Sequence, residues 1–190
     1  MGGSVVAVVH GKSEAILCRE LERSTRCRIC VFSEKEGEAC ISLRSLPEVM
    51  SARPFRNESD LHREFEDLDY NPRRRPMMPD LRIFTVVDTD DSPHDVHAYV
   101  TGNLLRSCPL SDSIVPIFNI PNLGAVFESH GFLVDRRNKA GSYKAISRRL
   151  DFLELYRLLK EDDSTNLDVF IRHVLSKVPE LQNKVDPGIV

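Results

Sequence analysis

Three aspartates follow an apolar run near the middle of the chain, in the stretch FTVVDTDD at 84–91. If the run is a strand that continues into them, Asp88 and Asp90 point to the same side, because strand side chains alternate with a period of two. Carboxylates held that close repel each other, and one stays protonated unless a cation lies between them. Oxygen ligands of this kind suit Mg²⁺ or Mn²⁺ rather than zinc. Alternatively the aspartates decorate a solvated turn, and Asp91, which precedes a Ser-Pro pair, fits that alternative best.

A second motif, HGKSE at 10–14, follows the first apolar run of the chain. It is not a P-loop, because that motif needs glycine where this chain has Val6. The motif instead predicts a tight turn from a strand into a helix, with Gly11 allowing the bend. Backbone N–H groups at the start of a helix can bind phosphate or carboxylate. Glu14 is then either a first-turn residue that favours the helix dipole or a catalytic group.

A third candidate region combines an acidic residue with a basic stretch. Glu128 lies in the apolar segment 118–132, and the stretch 136–149 behind it holds six Lys or Arg residues and no Asp or Glu. Such a stretch suits a phosphodiester backbone, although it is also typical of an ordinary solvated helix or loop. The candidate nucleic-acid-binding residues are Lys12, Arg136, Arg137, Lys139, Lys144, Arg148 and Arg149.

The spacing of apolar residues predicts the elements that carry these motifs. Short β-branched or apolar runs predict strands at 4–9, 28–32, 39–43, 81–87 and 113–118. Pro116 places the last of them at a sheet edge or at a bulge. Strands that alternate with helices predict an α/β fold with a mostly parallel sheet, in which ligands bind beyond the carboxyl ends of the strands. The first two motifs both follow predicted strands, at such ends.

Helical periodicity is clearest after HGKS, at 94–106 and in the C-terminal third. There a Thr-x-x-Asp capping signal at 165–168 precedes an apolar stripe. The stripe consists of Leu167, Phe170, Ile171, Val174, Leu175 and Val178. We expect an α/β domain over 1–146, with a long loop or insertion at 52–80, and a helical extension over 147–190.

Composition narrows the functional classes only slightly. The 190 residues are 41% hydrophobic and carry a net charge of −3, so nucleic acid would have to bind through a local basic patch. No apolar run reaches the roughly 18 residues that a membrane span requires, and no membrane partner is expected. The five cysteines have irregular spacing, and the N-terminus lacks the basic region of a signal peptide. We therefore expect reduced thiols and a cytoplasmic protein.

The order and separation of these motifs resemble a Toprim domain, which topoisomerases, bacterial primases and small nucleases share. The nearest likeness is to Toprim nucleases of the overcoming-lysogenization-defect type and to RloB-like proteins of phage-defence loci. The matching segments are HGKSE at 10–14, VVDTDD at 86–91 and IPNLGAVFE at 120–128. The resemblance covers roughly residues 4–145. It implies a Toprim-like (Rossmann-like) fold and breakage of phosphodiester bonds with Mg²⁺ or Mn²⁺.

The resemblance also implies roles for individual residues. Asp88, Asp90 and Glu14 would bind the metal, with Asp91 and Glu128 as further acidic candidates, and the basic residues named above would bind nucleic acid. This chain departs from the family at His10, which stands where a glutamate is usual. His10 either acts as the base, leaves that task to Glu14, or marks a site without chemistry.

Other classes fit parts of the pattern. A nucleotide-sugar glycosyltransferase also ends a strand in D-x-D, although the chain leaves little room for an acceptor domain. An inactive Toprim-like module that binds nucleic acid or a partner such as a separate ATPase is a further alternative, and a homo-oligomer is compatible with either.

Overall fold

Four strands form one parallel sheet in the computed structural model, which describes residues 5–66, 68, 80–135, 137–149 and 151–186. The strands are β1 (Val5–Val9), β2 (Ile29–Phe32), β3 (Ile83–Asp88) and β4 (Ile114–Asn119). Their order is β2-β1-β3-β4, so β1 and β3 are central. The predicted α/β fold, with a parallel Rossmann-like sheet flanked by helices, is confirmed.

Helices connect the strands and continue to the C-terminal end of the described chain. Before β3 they are α1 (Lys12–Thr25), α2 (Leu46–Ser51) and α3 (Glu58–Glu64). After β3 they are α4 (Val96–Val100), α5 (Leu123–Ser129), α6 (Lys139–Arg149), α7 (Phe152–Leu159) and α8 (Leu167–Ser176). Among the described residues no helix combines the length and the apolarity needed to cross a membrane.

The sheet is buried on both faces, because successive strand residues point to opposite sides. On one face, Val5, Ala7 and Val9 of β1 belong to a core shared with α1 and α5–α8. On the other face, Val6 and Val8 pack with α2, α3, α4 and the loop that contains Ile41 and Leu43. The central strands are therefore almost fully apolar until they end.

The C-terminal helices belong to the first of these cores. Phe170 of α8 contacts Phe84 of β3, with ring centroids 5.1 Å apart. The predicted apolar stripe of α8 is buried, apart from the partly buried Val178. Thr165 contributes to the start of this helix, since its Oγ1 accepts a hydrogen bond from the Leu167 N–H at 3.1 Å.

Pro116 lies in β4, which is an edge strand, as its missing N–H predicted. The exposed edge of β4 is covered by the side chain of Asn166. That amide donates to the Pro116 carbonyl at 2.9 Å and accepts from the Phe118 N–H at 2.8 Å. The Asn166 side chain thus makes two hydrogen bonds of the kind that a neighbouring strand would make with β4.

Two predicted elements are wrong in kind or extent. Residues 39–43 form a loop rather than a strand, and pair with no strand of the sheet; Ile41 donates one backbone hydrogen bond, to His10. Their apolar pattern reflects burial of Ile41 and Leu43. The helix predicted across 94–106 is reduced to α4 and a short 3₁₀ turn, because Gly102 adopts a φ of +73° between them.

Part of the predicted 52–80 insertion is helical, since it contains α3. Residues 67 and 69–79 of that prediction, which include the arginine run at 73–75, fall outside the described residues.

Candidate functional site

The first two sequence motifs meet at the carboxyl end of the sheet. Strands β1 and β3 are parallel neighbours, with Val9 paired to Val86, so both end at the same edge. His10 directly follows β1, and Asp88 is the last residue of β3. Gly11 then caps the start of α1. Both motifs therefore lie beyond the carboxyl ends of the two central strands, where parallel sheets place their ligands.

Glu14 lies in the first turn of α1 and is only 2% exposed. Its Oε2 accepts a hydrogen bond from the Gly11 N–H at 3.0 Å, so the capping role allowed by the sequence is present. Burial, followed by the charge of Asp88, raises the pKa of Glu14 to about 8, although the charge of Lys139 acts in the opposite direction. Glu14 is consequently protonated at neutral pH. A capping glutamate on a solvated helix end would not need this burial beside a second acid.

Asp88 is oriented by two hydrogen bonds to the same oxygen. Its Oδ1 accepts from the backbone N–H of Leu123 at 2.9 Å and from the Asn119 amide at 3.2 Å. Burial raises the pKa of Asp88 above its usual range, although the charge of His10 and the two hydrogen bonds act in the opposite direction. Among the described residues, Oδ2 of Asp88 has no hydrogen-bond partner and is free to bind a ligand.

Asp90 and Asp91 are exposed in the turn that follows β3. The strand ends at Asp88, so the alternation expected for Asp88 and Asp90 does not continue between them. Asp90 is nevertheless close enough to raise the pKa of Asp88. Its Oδ2 accepts a hydrogen bond from the Asn122 amide at 3.0 Å. Asp90 therefore lies in a solvated turn and is also a neighbour of Asp88.

His10 is half-buried between the two motifs. Its backbone N–H donates to the Val86 carbonyl at 2.8 Å, and its own carbonyl accepts from Ile41 at 2.8 Å. Its ring acts electrostatically on Asp88. The buried Nδ1 has no hydrogen-bond partner within the described part of the chain. An imidazole held between strand ends beside an acid is in a position to accept or donate a proton.

Helix α6 forms a further wall of this site. Tyr143 is buried and interacts with the Ser13 side chain at the start of α1. Burial, together with the charges of Glu14 and Asp88, raises the pKa of Tyr143 well above its usual range. Lys139, one turn before Tyr143, is exposed, and its charge acts on Glu14. The basic stretch thus begins at the acidic site.

The close approach of α5 and α6 depends on a glycine. A Cβ at Gly124 would lie 3.1 Å from Asn122 Oδ1 and 3.3 Å from the Tyr143 hydroxyl. Beside this contact is a pocket of about 380 Å³, whose lining includes Asn122, Glu128 and Lys139. Glu128 therefore lies on the α5 side of the site and not among the strand-end acids.

The remaining predicted residues are distributed over the outer surface. Lys12 is exposed at the first position of α1, and Arg137 is exposed before α6. Lys144, Arg148 and Arg149 are exposed on α6, whose other side buries Tyr143 and Ile146. Arg136 falls outside the described residues.

Several residues of the site were not singled out by the sequence. Asn119 ends β4 and is fully buried; its Oδ1 accepts from the Thr165 hydroxyl at 2.9 Å while its amide holds Asp88. Asn122 caps α5 and contacts Asp90. Polar residues at the end of a predicted strand were the available signal for Asn119. The contribution of Tyr143 depends on helix packing and had no local signal.

The donor set suits a hard cation in its chemistry. Asp88 and Asp90 supply carboxylate oxygens, which Mg²⁺ and Mn²⁺ prefer, and Glu14 becomes a third carboxylate only when it loses its proton. Across the described ranges, no three His, Cys, Asp or Glu side chains are gathered in a geometry ready to hold a metal. Magnesium commonly uses one or two carboxylates and completes its shell with water and substrate phosphate. Asp88 and Asp90 fit that smaller requirement.

Comparison of the chain with protein-family models, with curated proteins and with solved structures found no match. The site geometry is therefore the basis for a functional proposal.

Proposed function

We propose that this protein cleaves phosphodiester bonds in nucleic acid with the help of Mg²⁺ or Mn²⁺. The observation that carries the proposal is the burial of Glu14 beside Asp88 at the ends of the two central strands. Burying two neighbouring acids costs free energy, and perturbed acids in such a position are typical of functional sites. The motif order that resembles a Toprim domain points to the same class of reaction.

Asp88 and Asp90 would hold the metal, since each has a carboxylate oxygen without a hydrogen bond among the described residues. When bound, the ion would neutralise phosphate charge and make a water molecule more acidic. Lys139 is the nearest member of the basic stretch and would attract the phosphate towards the acids. The exposed cations of α6 would bind the backbone on either side of the scissile bond.

Hydrolysis adds one water molecule across a phosphodiester. The water oxygen bonds to phosphorus, one ester P–O bond breaks, and the leaving oxygen takes a proton. His10 would accept the proton of the attacking water. Glu14, which holds a proton at neutral pH, would protonate the leaving oxygen. This assignment makes His10 the base and Glu14 the acid of the same step.

A second candidate function is binding of nucleic acid or a protein partner without cleavage. It is favoured by the capping hydrogen bond of Glu14, which commits one oxygen to Gly11. It is also favoured by His10 in the place of the family's glutamate. In that case the acids and the basic helix would recognise a ligand but leave its bonds intact.

Cleavage assays on plasmid, single-stranded DNA and RNA with Mn²⁺ separate the two candidates. We expect Asp88→Asn to abolish activity and His10→Ala to reduce the rate by about 100-fold or more. Asp112→Asn is the matched control, because Asp112 is an exposed residue just before β4, at the end of the sheet opposite the acidic site. Equal background cleavage by wild type and all three variants, also with a candidate ATPase partner present, would refute the enzymatic proposal.

A further inference from the structure

A second pocket, of about 530 Å³, lies at the other end of the sheet, beside the start of β3. Its walls come from the residues before β3, from the C-terminal half of α8 and from the turn after that helix. Four basic side chains line it, namely Arg82, Arg172, His173 and Lys177. A volume of this size is within the range of small-molecule sites.

The three permanent cations of this pocket form no ion pair with a described residue. None of the salt bridges among the described residues involves Arg82, Arg172 or Lys177. Within the described part of the chain, the Arg82 side chain donates to the backbone carbonyl of its neighbour Leu81, at 2.9 Å, and to no acid. Like charges around one cavity repel each other, and a bound anion relieves that repulsion.

Two acids also line the pocket, against its three permanent cations, and the charge of Arg172 acts on one of them, Asp186. Asp186 is held from outside the pocket by Lys160 at 2.6 Å and by the Tyr156 hydroxyl at 2.9 Å. Asp80 is exposed, and it forms no ion pair among the described residues. The surplus of positive charge in the pocket therefore remains.

The dipole of α8 explains the position of only some of these basic residues. Lys177 caps the C-terminal end of this helix, and cations near that end are favourable. Arg82, however, precedes β3 and gains nothing from the dipole. Convergence of cations from a strand and from a helix on one cavity is what a binding site for an anion requires.

His173 supplies an uncharged polar group to the wall of this pocket. Its ring packs on Phe84, with centroids 5.0 Å apart, and forms no hydrogen bond with a described residue. Burial, together with the charges of Lys177, Arg82 and Arg172, lowers the pKa of His173 to about 4. A neutral imidazole with unused nitrogens can donate to a phosphate oxygen.

We propose that this pocket binds the phosphate group of a small nucleotide-sized ligand. The cations would hold the phosphate, and the side-chain amides of Gln182 and Asn183, which also line the pocket, would contact the rest of the molecule. The site is separate from the acidic one. Arg82 and Asp88 lie at opposite ends of β3, roughly 20 Å apart at the usual rise per strand residue.

Titration of the full chain with adenosine monophosphate, inorganic phosphate and adenosine, in EDTA and at low ionic strength, tests the proposal. We expect the monophosphate to bind and to shift the imidazole NMR signals of His173 but not those of His10. The double variant Arg82→Gln, Arg172→Gln should weaken binding by about tenfold or more. Arg157→Gln is the matched control, because Arg157 is exposed on α7 and does not line the pocket.

The outcomes separate clearly. Binding of inorganic phosphate as tightly as the nucleotide would still support a phosphate site and would identify the free ion as sufficient. Adenosine binding as well as its monophosphate would overturn the proposal. So would no binding of any probe at about 10 mM, a signal shift at His10 alone, or equal weakening by the Arg157 variant.

Discussion

At the scale of single residues, the protonated state of Glu14 is the most informative property of the site. Its pKa is raised from 4.5 to about 8, so between these pH values the folded chain holds a proton that the unfolded chain has released. Stability therefore falls as pH rises through this window and is lowest above it. The raised pKa of Asp88 acts in the same direction.

Glu14→Gln should remove most of this decline, because the amide oxygen can still accept from Gly11 while no charge forms. In urea unfolding with EDTA, we expect the variant to gain stability relative to wild type as pH rises from 4.5 to about 8, at up to about 1.4 kcal/mol per pH unit, and to gain no more above that window. The control is Glu161→Gln, in an exposed position on the turn after α7. Parallel pH profiles for wild type and the Glu14 variant would contradict the assignment of a buried protonated acid.

A divalent cation bound beside Asp88 should counteract the loss of stability at high pH. At pH 8, Mn²⁺ should raise the thermal midpoint of wild type and release a fraction of a proton, because Glu14, with a pKa of about 8, is already about half ionised there and the bound ion stabilises the carboxylate form of the neighbouring acids. Asp88→Asn should abolish the shift and Asp112→Asn should keep it, which differential scanning fluorimetry and proton-release measurements can determine. An equal shift in wild type and Asp88→Asn would place the bound ion elsewhere.

At the scale of elements, α6 places its exposed cations beside the acidic site. Replacing Lys144, Arg148 and Arg149 together with Gln should weaken nucleic-acid binding and reduce the slope of log affinity against log salt by about 2 to 3. The matched control replaces Arg19, Arg106 and Arg157, which are exposed on other elements. Unchanged salt dependence in the α6 variant would make the basic stretch an ordinary solvated face.

The Asn166 side chain satisfies two backbone groups at the edge of β4. Asn166→Ala leaves the Phe118 N–H and the Pro116 carbonyl without their partner, so we expect a loss of about 1–3 kcal/mol in the free energy of unfolding. Asn103→Ala is the control, because Asn103 is exposed and contacts only Thr101 through its side chain. Chemical denaturation of both variants measures the difference, and equal small losses would mean that water satisfies this edge.

At the scale of the whole molecule, the sequence predicted elements that have a local apolar pattern. It did not predict contacts between residues that are distant in the chain. Short apolar runs identified β1, β3 and β4, and a helical apolar pattern identified α8. The predicted end of β3 placed Asp88 at the carboxyl end of the sheet. The loop at 39–43 was mistaken for a strand because burial alone produced its pattern. The chain of hydrogen bonds from Thr165 through Asn119 to Asp88 joins residues more than 75 positions apart, so no local signal could reveal it.

That chain of hydrogen bonds and the shared core predict that the C-terminal helices and the sheet unfold as one unit. Phe170→Ala removes a fully buried ring that packs on Phe84, and should cost about 3–5 kcal/mol. Leu158→Ala, on the partly exposed side of α7, is the control and should cost much less. In hydrogen-exchange mass spectrometry, peptides from β3 and α8 should lose protection together in the Phe170 variant. If α8 exchanged rapidly while β3 kept its protection, residues 147–190 would form an independent extension and the sheet would hold its acidic site without them.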